Sequence, residues 1–342
     1  MTAEIDFTTK LEAQVAQQLG SQRVGYLLGA GSSCLNGNGY PLADHLWDRI
    51  KNRITDTTRR GDIQNKIDNG AKGIEQALDL LDDGQAVEGP HRHLVTAAIA
   101  EDFQQLVPPL DLHIEFVKRL AQRTGPCVKV FGLNYDPLIE RAAERARVRI
   151  LDGFIGHEHA FFNPAVFSET FLHSRGPRGR PSLHPAGPLI HLYKLHGSLG
   201  WYDSPQRGVC RCGFSASLPP GVARLMVPPA RRKVSEVVRP PYSPLWTAFR
   251  GAMSHDPKPL DRLVAIGYGF LDNHVNDVID SALARPYFRL LILTKALGDE
   301  AWARWSAKAN VVVATEARSS LEGAAGPGHP DLWSFERLAK EV

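Results

Sequence analysis

Residues 127–137 read Cys-Val-Lys-Val-Phe-Gly-Leu-Asn-Tyr-Asp-Pro. The first seven form an apolar, β-prone run. Asn134, Asp136 and Pro137 then break it. This grammar predicts a buried strand over Cys127–Leu133 and a helix opening at Pro137 and running to about Arg147. Proline suits the first helical position, where its missing N–H would have no partner anyway.

The same pattern recurs outward in both directions. Arg23–Leu28 (RVGYLL) ends in Gly29-Ala30-Gly31, and Leu189–Leu195 (LIHLYKL) ends in His196-Gly197-Ser198. Leu263–Ile266 begin a strand that ends at Gly267-Tyr268-Gly269. Asp272 then caps a helix with Val275, Val278, Ile279 and Ala282 on one face. Phe288–Leu293 and Asn310–Ala314 are further buried-type strands, with a helix over Asp299–Lys308 between them. Uninterrupted apolar strands alternating with helices specify an α/β fold, a parallel sheet covered by helices on both faces.

Between these elements lie segments of other character. Residues 8–20 read as an N-terminal helix. Ser32–Tyr40 read as a loop, and Leu42, Leu46, Ile50 and Ile54 form one helical stripe. Residues 56–124 read as a helical insertion between the first and second core strands, interrupted at Pro108-Pro109. Residues 150–187 and the proline-rich 201–245 read as irregular insertions. The expected division is a main domain over 1–322, then 323–342 as a Gly/Pro linker (Gly323–Pro330) and a last helix ending at Val342.

Composition narrows the functional classes. The chain has 342 residues, 43% of them hydrophobic, which is ample for a buried core. Its 40 basic and 37 acidic residues leave a net charge of +3. That near balance argues against a broad nucleic-acid footprint. The basic clusters Arg175/Arg178/Arg180 and Arg231/Arg232/Lys233 read as solvated loops. No apolar run approaches the roughly 20 residues of a membrane span. Met1–Lys10 lack the apolar stretch of a secretory signal. The four cysteines, Cys34, Cys127, Cys210 and Cys212, are too few for a disulfide framework, and a reduced cytoplasmic setting fits them. Cys210 and Cys212 stand as Cys-x-Cys with no second pair, so no four-ligand zinc site assembles. His157-Glu158-His159 and His91-Arg92-His93 each lack a third ligand, and no metal is expected.

Ligands of such sheets bind beyond the carboxyl ends of the strands. Four predicted strands end there in polar or glycine motifs, and their convergence is the strongest sign of a site. Gly29, Ala30, Gly31, Ser32 and Ser33 could meet a pyrophosphate with main-chain N–H groups, or could form only a tight structural turn. Cys34 stands where a dinucleotide fingerprint has its third glycine. Asp136 could cap the following helix, act in catalysis, or do both. The Asn134 amide could hold a water or a ribose hydroxyl. His196, at a strand end beside a glycine, can accept a proton near neutral pH.

Together these motifs resemble the sirtuin-like family. The resemblance runs through Gly29-Ala30-Gly31-Ser32-Ser33, Gly39-Tyr40-Pro41, Leu133-Asn134-Tyr135-Asp136, Lys194-Leu195-His196-Gly197-Ser198 and Ile266-Gly267-Tyr268-Gly269, over roughly residues 20–320. Within the family the chain looks like the bacterial NAD hydrolases of antiphage defence. Deacetylating sirtuins carry Gln-Asn-Ile-Asp where this chain has Leu133-Asn134-Tyr135-Asp136, and they carry a zinc ribbon that is missing here. They also have Asp-Phe-Arg after the proline, whereas Leu42-Ala43-Asp44 follow Pro41.

The resemblance implies a Rossmann-like fold and NAD as the substrate. It implies Asn134 and His196 as the essential pair, Asp136 in support, and Tyr135, Gly267 and Tyr268 beside the glycine loop in holding the dinucleotide. It further implies a homo-oligomer working with a HerA-type ATPase. Leu332, Trp333, Phe335 and Leu338 are apolar enough either to dock such a partner or to pack on their own domain. Two other functions stay open at this point: a non-catalytic subunit that binds NAD or ADP-ribose, and an ADP-ribosyltransferase.

Overall fold

The computed structural model describes residues 2–71, 73–81, 89–125, 127–157, 159–175, 182–185, 189–226 and 240–342. Arg178, Arg180 and the cluster 231–233 lie outside the described residues, as does Glu158.

One sheet organises the chain. Its strands in chain order are β1 (Val24–Leu28), β2 (Cys127–Gly132), β3 (Ile150–Leu151), β4 (Leu189–Lys194), β5 (Arg262–Ile266), β6 (Arg289–Leu293), β7 (Val311–Ala314), β8 (Arg318–Leu321) and β9 (Ala324–Pro327). Across the sheet they run β9-β8-β7-β6-β5-β1-β2-β4-β3. Pairing is parallel from β7 to β3 and antiparallel for β8 and β9. The chain leaves β1 for β2 on one side and returns as β5 on the other. The order of strands therefore reverses at β1, which opens a crevice beyond the strand ends there.

Strand periodicity explains why both faces are covered. Leu27, Phe131, Tyr193, Ala265, Ile292 and Val313 point to one side and join a buried cluster with the helices Tyr242–Arg250, Asn273–Leu283 and Asp299–Ser306. Their neighbours Tyr26, Leu28, Val130, Leu192, Val264 and Leu291 point to the other. There they meet the helices Thr2–Leu19, Asp111–Leu120, Leu138–Ala146 and Phe335–Glu341. A strand buried on both sides needs apolar residues at every position.

The expected insertions take different forms. The helical module is built on Tyr40, Leu46, Ile50, Ile63, Leu78, Ile99 and Phe103, so it spans about 40–106 rather than 56–124. Asp111–Leu120 instead packs on the main sheet, through Phe116, Val117 and Leu120. The two segments read as irregular share a five-stranded antiparallel sheet: Ala223–Met226, Gly197–Ser204, Gly208–Arg211, Ala160–Phe162 and Phe154–Ile155, in that order. Its strands come from distant stretches, Cys210 pairing with both Tyr202 and Phe161. Local sequence carries no sign of such pairing. The supposed linker at 323–330 also enters the main sheet, Ser319 pairing with Gly326.

Three of the four apolar residues at the C-terminal end pack internally, and Trp333 is partly buried. Leu332, Phe335 and Leu338 are buried in the main core, and the Phe335 ring lies 5.5 Å from that of Phe116. They do not form an exposed docking face. Among the described residues no helix is long and apolar enough to cross a membrane.

Candidate functional site

Two loops meet backbone to backbone at the reversal point. Gly29 N–H donates to Ile266 O at 3.0 Å, and Gly31 N–H donates to Gly267 O at 2.8 Å. A Cβ on Gly29 or on Gly31 would lie 2.6 Å from the Gly267–Tyr268 main chain. Gly267 has φ +61, and a Cβ there would lie 2.4 Å from Ser32 N. These glycines therefore key one loop against the other. Gly29 also precedes the short helix Ala30–Cys34. That helix replaces the start of the expected loop; its Gly and Ser residues are weak helix formers, and the loop contact supports it.

Asn134 joins β2 to this pair of loops. Its Nδ2 donates to Gly29 O at 2.9 Å and to Ser33 Oγ at 2.8 Å, with Ser32 Oγ at 3.3 Å. The amide nitrogen thus shapes the glycine loop. Ser32 Oγ in turn donates to Gly29 O at 2.8 Å. Asp136 is buried, and its Oδ1 accepts from Leu138 N at 3.0 Å, supporting the start of Leu138–Ala146.

Beneath the Asn134–Asp136 turn lies a buried cation. Lys194 Nζ donates to Asp136 O at 2.5 Å, to Tyr135 O at 3.3 Å and to Ser198 Oγ at 2.9 Å, and it pairs with Glu140 Oε1 at 2.9 Å. An ammonium taken from water requires such complete coordination. Its effect is to pin the carbonyls of the turn that carries the candidate residues. Lys194 opens the motif Lys194-Leu195-His196-Gly197-Ser198, but the sequence gives it no role of its own; a lysine closing an otherwise apolar strand is the signal that it is coordinated.

His196 follows β4. Its Nδ1 is 3.2 Å from Leu133 O, and its Nε2 is 3.1 Å from Asp272 Oδ2. Asp272 also caps the helix Asn273–Leu283 as expected, its Oδ1 accepting from His274 N at 3.0 Å. Tyr268 is buried, and burial, then the Asp272 charge, holds its phenol well above the ordinary range.

These groups surround one cavity of about 210 Å³. Gly29, Ala30 and Ser33 line it from β1, and Asn134, Tyr135 and Asp136 from β2. His196 enters from β4, and Gly267, Tyr268 and Asp272 from β5. Gly31 and Ser32 stand behind this wall. The helical module supplies the roof with Tyr40, Leu46, Glu75 and Phe103, so it is part of the site and not only an appendage. Tyr40 stacks on Phe103 at 4.8 Å. The Tyr40 hydroxyl is buried with no hydrogen-bond partner among the described residues. The lining contains Glu75, Asp136 and Asp272 and, among the described residues, no lysine or arginine.

Among the described residues no group of three or more His, Cys, Asp or Glu is placed to hold a metal ion. Cys210 and Cys212 are free and buried in the second sheet, Cys212 Sγ resting 3.6 Å from Gly200 O.

Residues 128–313 match the SIR2-like domain family, more than half of the chain. No curated protein matches the chain in sequence. The solved structure of a mutant Sir2 homologue in complex with 2′-O-acetyl ADP ribose is similar at 17% identity and TM-score 0.39, over 82% of this chain and 83% of that one. The family match covers β4, β5 and all but the first residue of β2, the strands that Asn134, Asp136, His196 and Asp272 follow. The chain therefore belongs to the SIR2-like domain family, whose members are generally NAD-dependent.

Proposed function

We propose that the chain is an NAD glycohydrolase that breaks the nicotinamide–ribose bond to give nicotinamide and ADP-ribose. The observation that carries this reading is the shared cavity: an acidic lining with no lysine or arginine among the described residues, with His196 and Asn134 on its wall. Carboxylates favour a ligand part that is positive, and the pyridinium ring of oxidised NAD is cationic. As the bond breaks, positive charge moves onto the ribose in an oxocarbenium-like state. Asp136, Asp272 and Glu75 oppose that charge. Nicotinamide leaves as a neutral molecule, so no acid is needed to release it. Asn134 Oδ1 accepts from the attacking water, and His196 takes the proton that the water or a ribose hydroxyl gives up. The unpartnered Tyr40 hydroxyl offers the ligand a further hydrogen bond.

The pyrophosphate is met largely by main-chain groups of the Gly29–Ser33 segment, because the lining holds no lysine or arginine among the described residues. We extend the reading to antiphage defence by NAD depletion, within a homo-oligomer and beside a HerA-type ATPase. That extension is supported by the motif resemblance alone.

The test is to incubate purified chain with NAD labelled in its adenylate. Free nicotinamide and ADP-ribose in equal amounts support the hydrolase. Label retained on protein or nucleic acid, with little free ADP-ribose, would replace it with a transferase. Saturable binding of NAD without turnover would leave a regulatory subunit.

A further inference from the structure

Asp272 is held in place from several sides. Phe270 adopts a left-handed backbone with φ 57, which turns the chain sharply before it. Asn276 Nδ2 fastens that turn by donating to Phe270 O at 2.8 Å. Tyr268 Oη lies 3.2 Å from Asp272 N. Asp272 Oδ1 accepts from His274 N, and its Oδ2 lies 3.1 Å from His196 Nε2. The two side chains are 8% and 9% exposed, so water screens this contact weakly.

Both ring nitrogens face acceptors: Leu133 O, which can only accept, favours a proton on Nδ1, and the Asp272 carboxylate favours one on Nε2. Nε2 is the nitrogen that faces a charge. An opposite charge at that distance favours the protonated ring. The surrounding groups do not cancel this. Asp136 and Glu75 in the same lining act in the same direction. The ammonium of Lys194 is directed onto the Tyr135 and Asp136 carbonyls. The phenols of Tyr40 and Tyr268 stay neutral through burial.

We infer that Asp272 is the positioning residue of His196: it fixes the ring and raises its affinity for a proton. The consequence for catalysis, that the pair accepts a proton as a unit, rests on the NAD-cleaving reading. The assignment of the pair itself does not.

Asp272→Asn isolates the effect. Asparagine caps helices as well as aspartate and has the same shape, so a purely structural role would survive the change. The measurement is the titration of the His196 ring by NMR, assigned with His196→Ala, in the parent and in Asp272→Asn. The expected result is a His196 midpoint at least about one pH unit lower in the variant. The acidic limb of the rate profile moves down in pH with it. Asp272→Ser, which also keeps a capping oxygen, gives the same direction and serves if the asparagine variant does not fold. Equal midpoints in parent and variants would overturn the assignment. Shifted midpoints in a chain that never releases nicotinamide would uphold Asp272 and remove the NAD-cleaving reading instead.

Discussion

The Asn134 amide nitrogen lies 2.9 Å from Gly29 O, so the residue after β2 holds the first turn after β1. One side chain therefore ties two loops together: Nδ2 reaches both Gly29 O and Ser33 Oγ. Asn134→Ala should lower thermal stability by about 1–2 kcal/mol, since the acceptors Gly29 O and Ser33 Oγ lose their donor. Asn134→Asp should cost more, because it sets a carboxylate oxygen against Gly29 O. Paired thermal melts check the order; an aspartate variant as stable as the parent would contradict it.

Two glycines give opposite expectations. Gly267→Ala needs a left-handed alanine whose Cβ lies 2.4 Å from Ser32 N, and should cost at least about 2 kcal/mol. Gly61 lies inside the helix Thr57–Asp68 with no atom within 4 Å of a Cβ, and Gly61→Ala should stabilise by roughly 0.5–1 kcal/mol. Denaturant midpoints of the two variants should fall on opposite sides of the parent.

Lys194→Met removes the charge that pins the Asn134–Asp136 turn and leaves Glu140 and two carbonyls without it. Glu140 keeps partial access to water, so the loss should be about 2–3 kcal/mol rather than that of a fully buried pair. Nicotinamide release should fall even at temperatures where the variant is fully folded, as the turn loosens. Unchanged turnover in the folded variant would show that the turn does not depend on the ammonium.

Acid should destabilise the fold through two histidines. Burial pushes His113 and His191 down to about 4. An unfolded histidine titrates near ~6.5, so between those values the unfolded chain binds protons that the native chain refuses. The stability is fully present above about 6.5 and is lost as pH falls toward 4, by about 1.4 kcal/mol per pH unit for each residue. Urea unfolding at stepped pH reads the slope. His191→Leu should make it shallower by one proton.

The sheet is legible because strands buried on both faces must be apolar where they are buried, as in Val24–Leu28 and residues 290–293. The placement of Asn134, Asp136 and His196 followed from the same runs, since polar residues closing such strands mark the crevice. What escaped was set by distant pairing. Trp201-Tyr202 and Gly208–Arg211 look irregular until they are set beside Ala160–Phe162. Glu75 sits in an ordinary amphipathic helix and reaches the cavity only because the helical module folds over it. Asp272 was read as a cap, which it is; its second oxygen could not be assigned a partner without the fold.

The central claim is that the scissile bond lies in the cavity between Asn134 and His196. The structure of His196→Ala soaked with intact NAD tests it most directly. The nicotinamide ribose is expected beside Asn134 Oδ1, with the pyrophosphate on the Gly29–Ser33 segment. A dinucleotide seated elsewhere, or a cavity that stays empty at saturating NAD, would contradict the account.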